Sequence, residues 1–230
     1  MSSMNRTQTQ SGTLSHLTLT FDRPMSESEI EFLRSSTNAA MALRIPSSVK
    51  AAYDREKTLQ FSQSSEPDVG RLLSVLSAML PREGRVLELG TGAGVGLAWI
   101  VHGVADRGDI RVISIERNPN NAALIGAADW PEWVSIMVGD GAELMKTLGL
   151  FDLIFADTPG GKVYGLEHTV AALQPGGVLL LDDMDWDRSE DPERIARLAY
   201  VRNQLFGNSK LCCTELALSS GVILAARKRQ

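Results

Sequence analysis

The chain has 230 residues, 43% of them hydrophobic, with 28 acidic against 23 basic side chains and a formal net charge of −5. That length suits one domain with a sizeable core, and a pI near 5.3 excludes the broadly basic surface that nucleic acid or an anionic membrane requires. No apolar run is long enough to span a membrane and the polar start lacks a secretory signal's apolar core, so a cytoplasmic protein with no membrane or nucleic-acid partner is expected.

Residues 1–13 are polar and aperiodic and read as a disordered tail. Residues 14–21 alternate, with Leu17, Leu19 and Phe21 on one side, and read as an edge strand. Ser26 and Glu29 have capping-box spacing and open an amphipathic helix carrying Ile30, Leu33 and Met41, which Pro46 ends. A second helix is expected over about 47–59. Ser64-Ser65-Glu66-Pro67-Asp68 starts a third, with Leu72, Leu73, Leu76 and Leu80 at helical spacing before Pro81 and Gly84 close it.

From there strand and helix alternate. Strands are expected over 86–89, 110–115, 134–138, 153–156 and 177–181, with helices from about 97 and over 119–128, 142–148, 166–173 and 192–205. Residues 211–218 and 221–226 read as a hairpin across Ser219-Ser220. Its neighbouring cysteines, Cys212 and Cys213, point to opposite faces of a strand, so neither a disulfide framework nor a zinc cluster is expected. The alternation predicts an α/β fold with a doubly wound, mostly parallel sheet of seven strands and a C-terminal antiparallel hairpin. A tail (1–13), a helical N-terminal extension (14–61) and a main domain (62–230) divide the chain.

The chemistry concentrates where the first strand meets Gly90-Thr91-Gly92-Ala93-Gly94-Val95-Gly96. Strand, glycine turn and helix let backbone pass close to a ligand, because glycine adopts positive φ and has no Cβ. The dinucleotide fingerprint G-x-G-x-x-G/A fails in every frame, since Val95, Leu97 and Trp99 occupy its last position. No Lys-Ser or Lys-Thr directly follows these glycines, which removes the phosphate-binding P-loop. Glu88, two residues before the first glycine, would repel a pyrophosphate but can receive an ammonium group. The stretch resembles motif I, E-x-G-x-G-x-G, of class I S-adenosylmethionine-dependent methyltransferases.

Acids recur after the later strands, at Glu116, Asp140, Asp157, Asp182 and Asp183. Ligands of open parallel sheets lie at those strand ends. Glu116 can accept two ribose hydroxyls. Asp140 can bond an adenine amino group, or simply cap the next helix. Asp157, Asp182 and Asp183 on adjacent strands could make an oxygen-rich site for a divalent cation such as Mg²⁺.

Over residues 62–226 the chain resembles the small O-methyltransferases of the catechol and caffeoyl-CoA type. The matching segments are Glu88-Leu89-Gly90-Thr91-Gly92, Ile115-Glu116-Arg117-Asn118-Pro119, Val138-Gly139-Asp140, residues 151–157, and Leu173-Gln174-Pro175-Gly176-Gly177 followed by Asp182-Asp183. The resemblance implies a Rossmann-like fold, S-adenosylmethionine held by Glu88, Gly90, Thr91, Gly92, Gly94, Glu116, Arg117, Asp140, Gly141, Ala142 and Asp157, and a small hydroxylated acceptor. It further implies a divalent ion on Asp157, Asp182 and Asp183, a base at Lys162 working beside Asp157, and a homodimer. Two departures stand out. Asp183 replaces the family's usual asparagine, and Thr158-Pro159-Gly160-Gly161 lengthens its Asp-x-x-Lys by two residues. The alternatives are a non-catalytic cofactor-binding domain and an NAD-binding oxidoreductase.

Overall fold

The computed structural model describes residues 24–42 and 45–229, so the expected tail, the strand over 14–21 and the side chain of Met41 lie outside it. The chain divides between Arg44 and Ile45 into two compact units. In the first, α1 (Glu27–Ala42) begins with the expected capping box. The Ser26 amide donates to Glu29 Oε2 at 2.8 Å and the Glu29 amide returns to Ser26 Oγ at 3.3 Å, satisfying two donors that a helix start leaves open.

The second unit opens with α2 (Ser47–Leu59) and α3 (Pro67–Ala78) and then runs β1 (Arg85–Leu89), α4 (Val95–Gly103), β2 (Arg111–Glu116), α5 (Pro119–Gly126) and β3 (Val134–Val138). It continues with α6 (Gly141–Leu144), β4 (Phe151–Ala156), α7 (Pro159–Lys162), α8 (Leu166–Ala171), β5 (Leu173–Leu181), α9 (Pro192–Phe206), β6 (Leu211–Leu216) and β7 (Val222–Arg227). The strands form one sheet in the order β3-β2-β1-β4-β5-β7-β6. β1 to β5 run parallel, while β7 is antiparallel to both β5 and β6.

Both faces of the sheet are covered, which is why its strands are apolar at consecutive positions. Val86, Leu153, Phe155 and Leu180 face one core with Val49 and Ala52 of α2, Leu73 of α3 and Leu97 and Ile100 of α4. Leu87, Leu89, Ile154, Ala156 and Leu181 face the other, with Leu198, Val201 and Leu205 of α9. Thus α2, expected in the extension, packs with the main sheet. Among the described residues no helix is long and apolar enough to cross a membrane.

Three elements differ from expectation. The helix expected over 142–148 breaks into α6 and a 3₁₀ turn, Met145–Thr147. Residue 173 ends no helix but begins β5, whose pairing with β4 slips between Phe151 and Leu153; Pro175 and Gly176 (φ +87°) lie in this stretch. The distorted turn α7 had no periodic signal to announce it.

Helices α3 and α4 cross closely enough to need glycine at the contact. A Cβ on Gly70 would lie 2.1 Å from Trp99 Nε1, and one on Gly103 would lie 2.3 Å from the Ser74 carbonyl oxygen. Overpacking such a seam costs about 1–3 kcal/mol. Gly70→Ala is therefore expected to lower unfolding stability by that amount in a denaturant titration, and Trp99→Leu in the same chain to make the added methyl harmless.

Candidate functional site

The strand order reverses between β1 and β4, and backbone hydrogen bonds align the residues that leave each strand. Ile115, Leu89, Ala156 and Leu181 stand in one row across the sheet. The next residues are Glu116, Gly90, Asp157 and Asp182. The Gly90 amide donates to the Ile115 carbonyl at 3.0 Å, Asp157 to Leu89 at 3.0 Å and Asp182 to Ala156 at 3.2 Å, so the ladder extends one step into the loops. A switch point of this kind is where open α/β sheets take ligands.

A cavity of about 550 Å³ lies there. Glu88, Gly90, Thr91, Gly92 and Glu116 line it, as do residues 63–65, between α2 and α3. Asp157, Lys162 and Asp183 line it as well, as do Arg194, Arg197 and Leu198 of α9, and the Arg194 guanidinium reaches the Asp183 carbonyl. The loop glycines have φ of +97° at Gly90 and +54° at Gly92, conformations a side chain resists. Phe61 lies over the loop, 2.9 Å from where a Gly92 Cβ would be.

Glu88 shares the face of β1 that carries Val86, a position where burial predicts an apolar side chain, and it is fully buried. Ser114 donates a short hydrogen bond to its Oε2, and Thr91 Oγ1 stands 2.5 Å from Ser114 Oγ. Among the described residues Oε1 has no hydrogen-bond partner, although the Leu97 amide is near. Burial pushes this carboxyl up to about 8; the Asp157 and Glu116 charges add to the rise, and the Ser114 hydroxyl opposes it.

Glu116 is held by two amides, Gly92 at 3.0 Å to Oε2 and Asn118 at 2.8 Å to Oε1. Its orientation is thus set before any ligand arrives, and each oxygen keeps a lone pair. Asp157 Oδ2 accepts from Ser65 Oγ at 3.3 Å. Burial holds the Asp157 carboxyl well above the usual carboxylate range, the Asp182 charge raises it further, and the Lys162 ammonium draws it down. Asp182 is raised as well, by burial first, against the Ser220 hydroxyl and Asp183 amide that both bond its Oδ1.

The two-residue lengthening before Lys162 is absorbed by its glycines. Gly161 takes φ +93°, its amide donates to the Tyr164 carbonyl at 2.6 Å, and Thr169 Oγ1 donates to the Gly161 carbonyl at 2.7 Å. Lys162 consequently turns inward, 6% exposed, with Nζ donating to the Asp182 carbonyl at 2.8 Å.

Of the residues expected at a cofactor, Glu88, Gly90, Thr91, Gly92, Glu116 and Asp157 line the cavity, whereas Gly94, Arg117, Asp140, Gly141 and Ala142 do not. Asp140 is exposed and caps α6 through the Ala142 amide at 2.9 Å. Gly94, at φ +80°, starts α4. The three aspartates expected to hold a metal do reach one edge. Among the described residues, however, no three His, Cys, Asp or Glu side chains stand at metal-ligand spacing. Asp182 Oδ1 is taken up by Ser220 and Asp183, and the nearby positive charge is Lys162. As placed, these residues do not fit a resident divalent ion.

Among the cavity residues not expected from the sequence are Phe61, Arg194 and Arg197. Phe61 carries no motif. Arg194 had a signal: a cation in the first turn of a helix opposes its dipole and calls for a reason.

Comparison with known proteins agrees with this geometry. The "Methyltransferase domain" family matches residues 87–184. A protein of Mycobacterium ulcerans named "Putative O-methyltransferase" is 30% identical over 190 residues, covering 78% of this chain and 84% of its own. One of the same name from Mycobacterium sp. strain JLS is 28% identical over 188 residues, covering 76% and 85%. The crystal structure of the O-methyltransferase TomG from Streptomyces achromogenes, in complex with S-adenosylmethionine, superposes with a TM-score of 0.68. It covers 89% of this chain and all of its own, and at 19% identity it shares the fold.

The Glu88 carboxyl has a pH signature. Its folded-state value near 8 exceeds the ordinary 4.5, so the folded chain favours the neutral form. That stability is fully present below 4.5 and is lost as pH rises toward 8, at no more than about 1.4 kcal/mol per pH unit. Glu88→Gln removes the dependence. Its stability relative to the parent chain, from denaturant unfolding without ligand, is expected to rise between about pH 6 and pH 8; a constant difference would show that Glu88 is ionised throughout.

Proposed function

The chain belongs to the O-methyltransferase family of class I, S-adenosylmethionine-dependent methyltransferases, and from that premise we propose that it methylates a hydroxyl of a small-molecule acceptor at the edge formed by Asp157 and Lys162. The observation that carries this reading is the buried, half-satisfied Glu88 beside a glycine loop with positive φ. An acid so placed suits the ammonium end of an amino acid and opposes a phosphate. The amide-held Glu116 suits the two hydroxyls of a ribose.

When bound, S-adenosylmethionine supplies an electrophilic methyl group on a sulfonium centre. This chain's own work is to bind, orient and move one proton. Glu88 ionises to receive the ammonium. Glu116, fixed by Gly92 and Asn118, accepts the ribose hydroxyls.

At the acceptor end Asp157 takes the hydroxyl proton. A carboxyl raised above its usual range is a stronger base once ionised, and proton transfer is most efficient when the acid and base strengths approach one another. Lys162 keeps that carboxylate from being stranded and lends positive charge to the developing alkoxide or phenolate. In this reading an ammonium fills the place that a divalent ion holds in the catechol type, and no step passes through a metal.

Two measurements test this. Titration calorimetry is expected to show binding of S-adenosylmethionine and none comparable for NAD, with Glu116→Ala weakening it by about 1–3 kcal/mol; binding of NAD alone would overturn the reading. Turnover, followed as S-adenosylhomocysteine, is expected to be the same in EDTA as in Mg²⁺. Its acid limb is expected above the ordinary carboxylate range near about 3.9 and to vanish in Asp157→Asn. Turnover lost in EDTA and restored by Mg²⁺ would overturn the role given to Lys162.

A further inference from the structure

Two arginines line the cavity that the methyl-transfer reading leaves without a role. Arg194 and Arg197 lie one turn apart near the start of α9, and both line the cavity with Leu198 beside them. They are not equivalent. Arg197 is taken up by the acids of its own helix start, Asp191 at 3.5 Å and Glu193 at 3.3 Å. Arg194 has no carboxylate within ion-pair distance among the described residues. Its Nη2 makes a long 3.5 Å hydrogen bond to the Asp183 carbonyl, and its Nε is shut off from water without a partner.

A cation in the first turn of a helix faces the positive end of the helix dipole, so Arg194 stands where the backbone disfavours it. Stranding a buried donor is unfavourable as well. An anion in the cavity would answer the first through the Nη groups, since Nε is closed off, and a carboxylate matches their planar pair through two parallel hydrogen bonds. The Asp183 carboxyl lines the same cavity and lies close enough to raise Asp157. It sets a requirement for a compact anion directed at Arg194 rather than diffuse negative charge. Leu198 and Val163 add apolar wall for the body of such a ligand.

We propose that the acceptor is a hydroxylated carboxylic acid, held by its carboxylate on Arg194 with its hydroxyl toward Lys162 and Asp157. This rests on the methyl-transfer reading and adds to it the chemical class of the acceptor. In the transfer, the hydroxyl oxygen bonds the methyl carbon as the carbon–sulfur bond breaks. The electron pair stays on sulfur, giving the thioether, the hydroxyl proton passes to Asp157, and the acceptor's carboxylate is unchanged.

The test uses the full chain and three probes, 3-hydroxybenzoate, its methyl ester and its amide. Binding to protein saturated with S-adenosylhomocysteine is read by calorimetry and methyl transfer by thioether release. The acid is expected to bind at least about tenfold more tightly than the ester or amide, the scale of one charge-assisted pair. Arg194→Gln is expected to erase that preference, and Arg194→Lys to restore part of it, while both variants bind S-adenosylhomocysteine as the parent does. Equal binding of acid and ester, or a preference surviving Arg194→Gln, would overturn the proposal. Failure of S-adenosylhomocysteine to bind overturns instead the cofactor reading; the acid–ester comparison on the unloaded protein then decides the arginine's role alone.

Discussion

Buried negative charge is the constraint on which the rest of this molecule turns. Glu88, Glu116 and Asp182 are all buried, and Asp157 lines the cavity together with Glu88 and Glu116. Burial raises the Glu88, Asp157 and Asp182 carboxyls, and neighbouring acid charges add to the rise. The fold tolerates them because each is given fixed donors: Ser114 for Glu88, two amides for Glu116, Ser65 for Asp157, and Ser220 with the Asp183 amide for Asp182. Lys162 adds a buried ammonium. The result is an edge with more acid than base, prepared for a ligand that brings positive charge.

Several distant segments exist, in effect, to hold that edge. The turn between β6 and β7 packs on the loop after β5. The Met184 amide donates to the Gly221 carbonyl at 2.8 Å and the Asp185 amide to Ser220 at 2.9 Å. Ser220 then reaches back to Asp182. A Cβ on Gly221 would come within 2.6 Å of the Asp185 nitrogen, so the approach depends on glycine. The antiparallel hairpin is therefore more than the end of the sheet; it sets the orientation of an acid in the site.

Much of this architecture was legible in the chain because the relevant signals are local. The apolar runs of β1 to β5 and the glycines after β1 mark strand and turn by their own stereochemistry. The capping pair Ser26 and Glu29 and the prolines at the starts of α3, α5 and α9 mark helix starts in the same way. Glu88 was legible for a related reason, being an acid at a position whose neighbours are all buried. The metal set was not readable in the same sense. Asp157, Asp182 and Asp183 share an edge by topology, but ligand spacing depends on rotamers, on Ser220, and on where Lys162 goes.

The sequence by itself determined the strand–helix alternation, the closing hairpin, the glycine loop and the acids at the strand ends, because periodicity, φ preference and capping act over a few residues. Only the tertiary structure decided which acids line one cavity, that Asp140 caps a helix on the surface, and that Phe61 lies over Gly92. It also decided that a lengthened turn still delivers Lys162 inward, and that Arg194 lines the cavity without a carboxylate partner among the described residues. Each of these depends on contacts between segments tens of residues apart, where position is set by packing and by hydrogen bonds to a distant partner. A single chain of letters carries no measure of those distances.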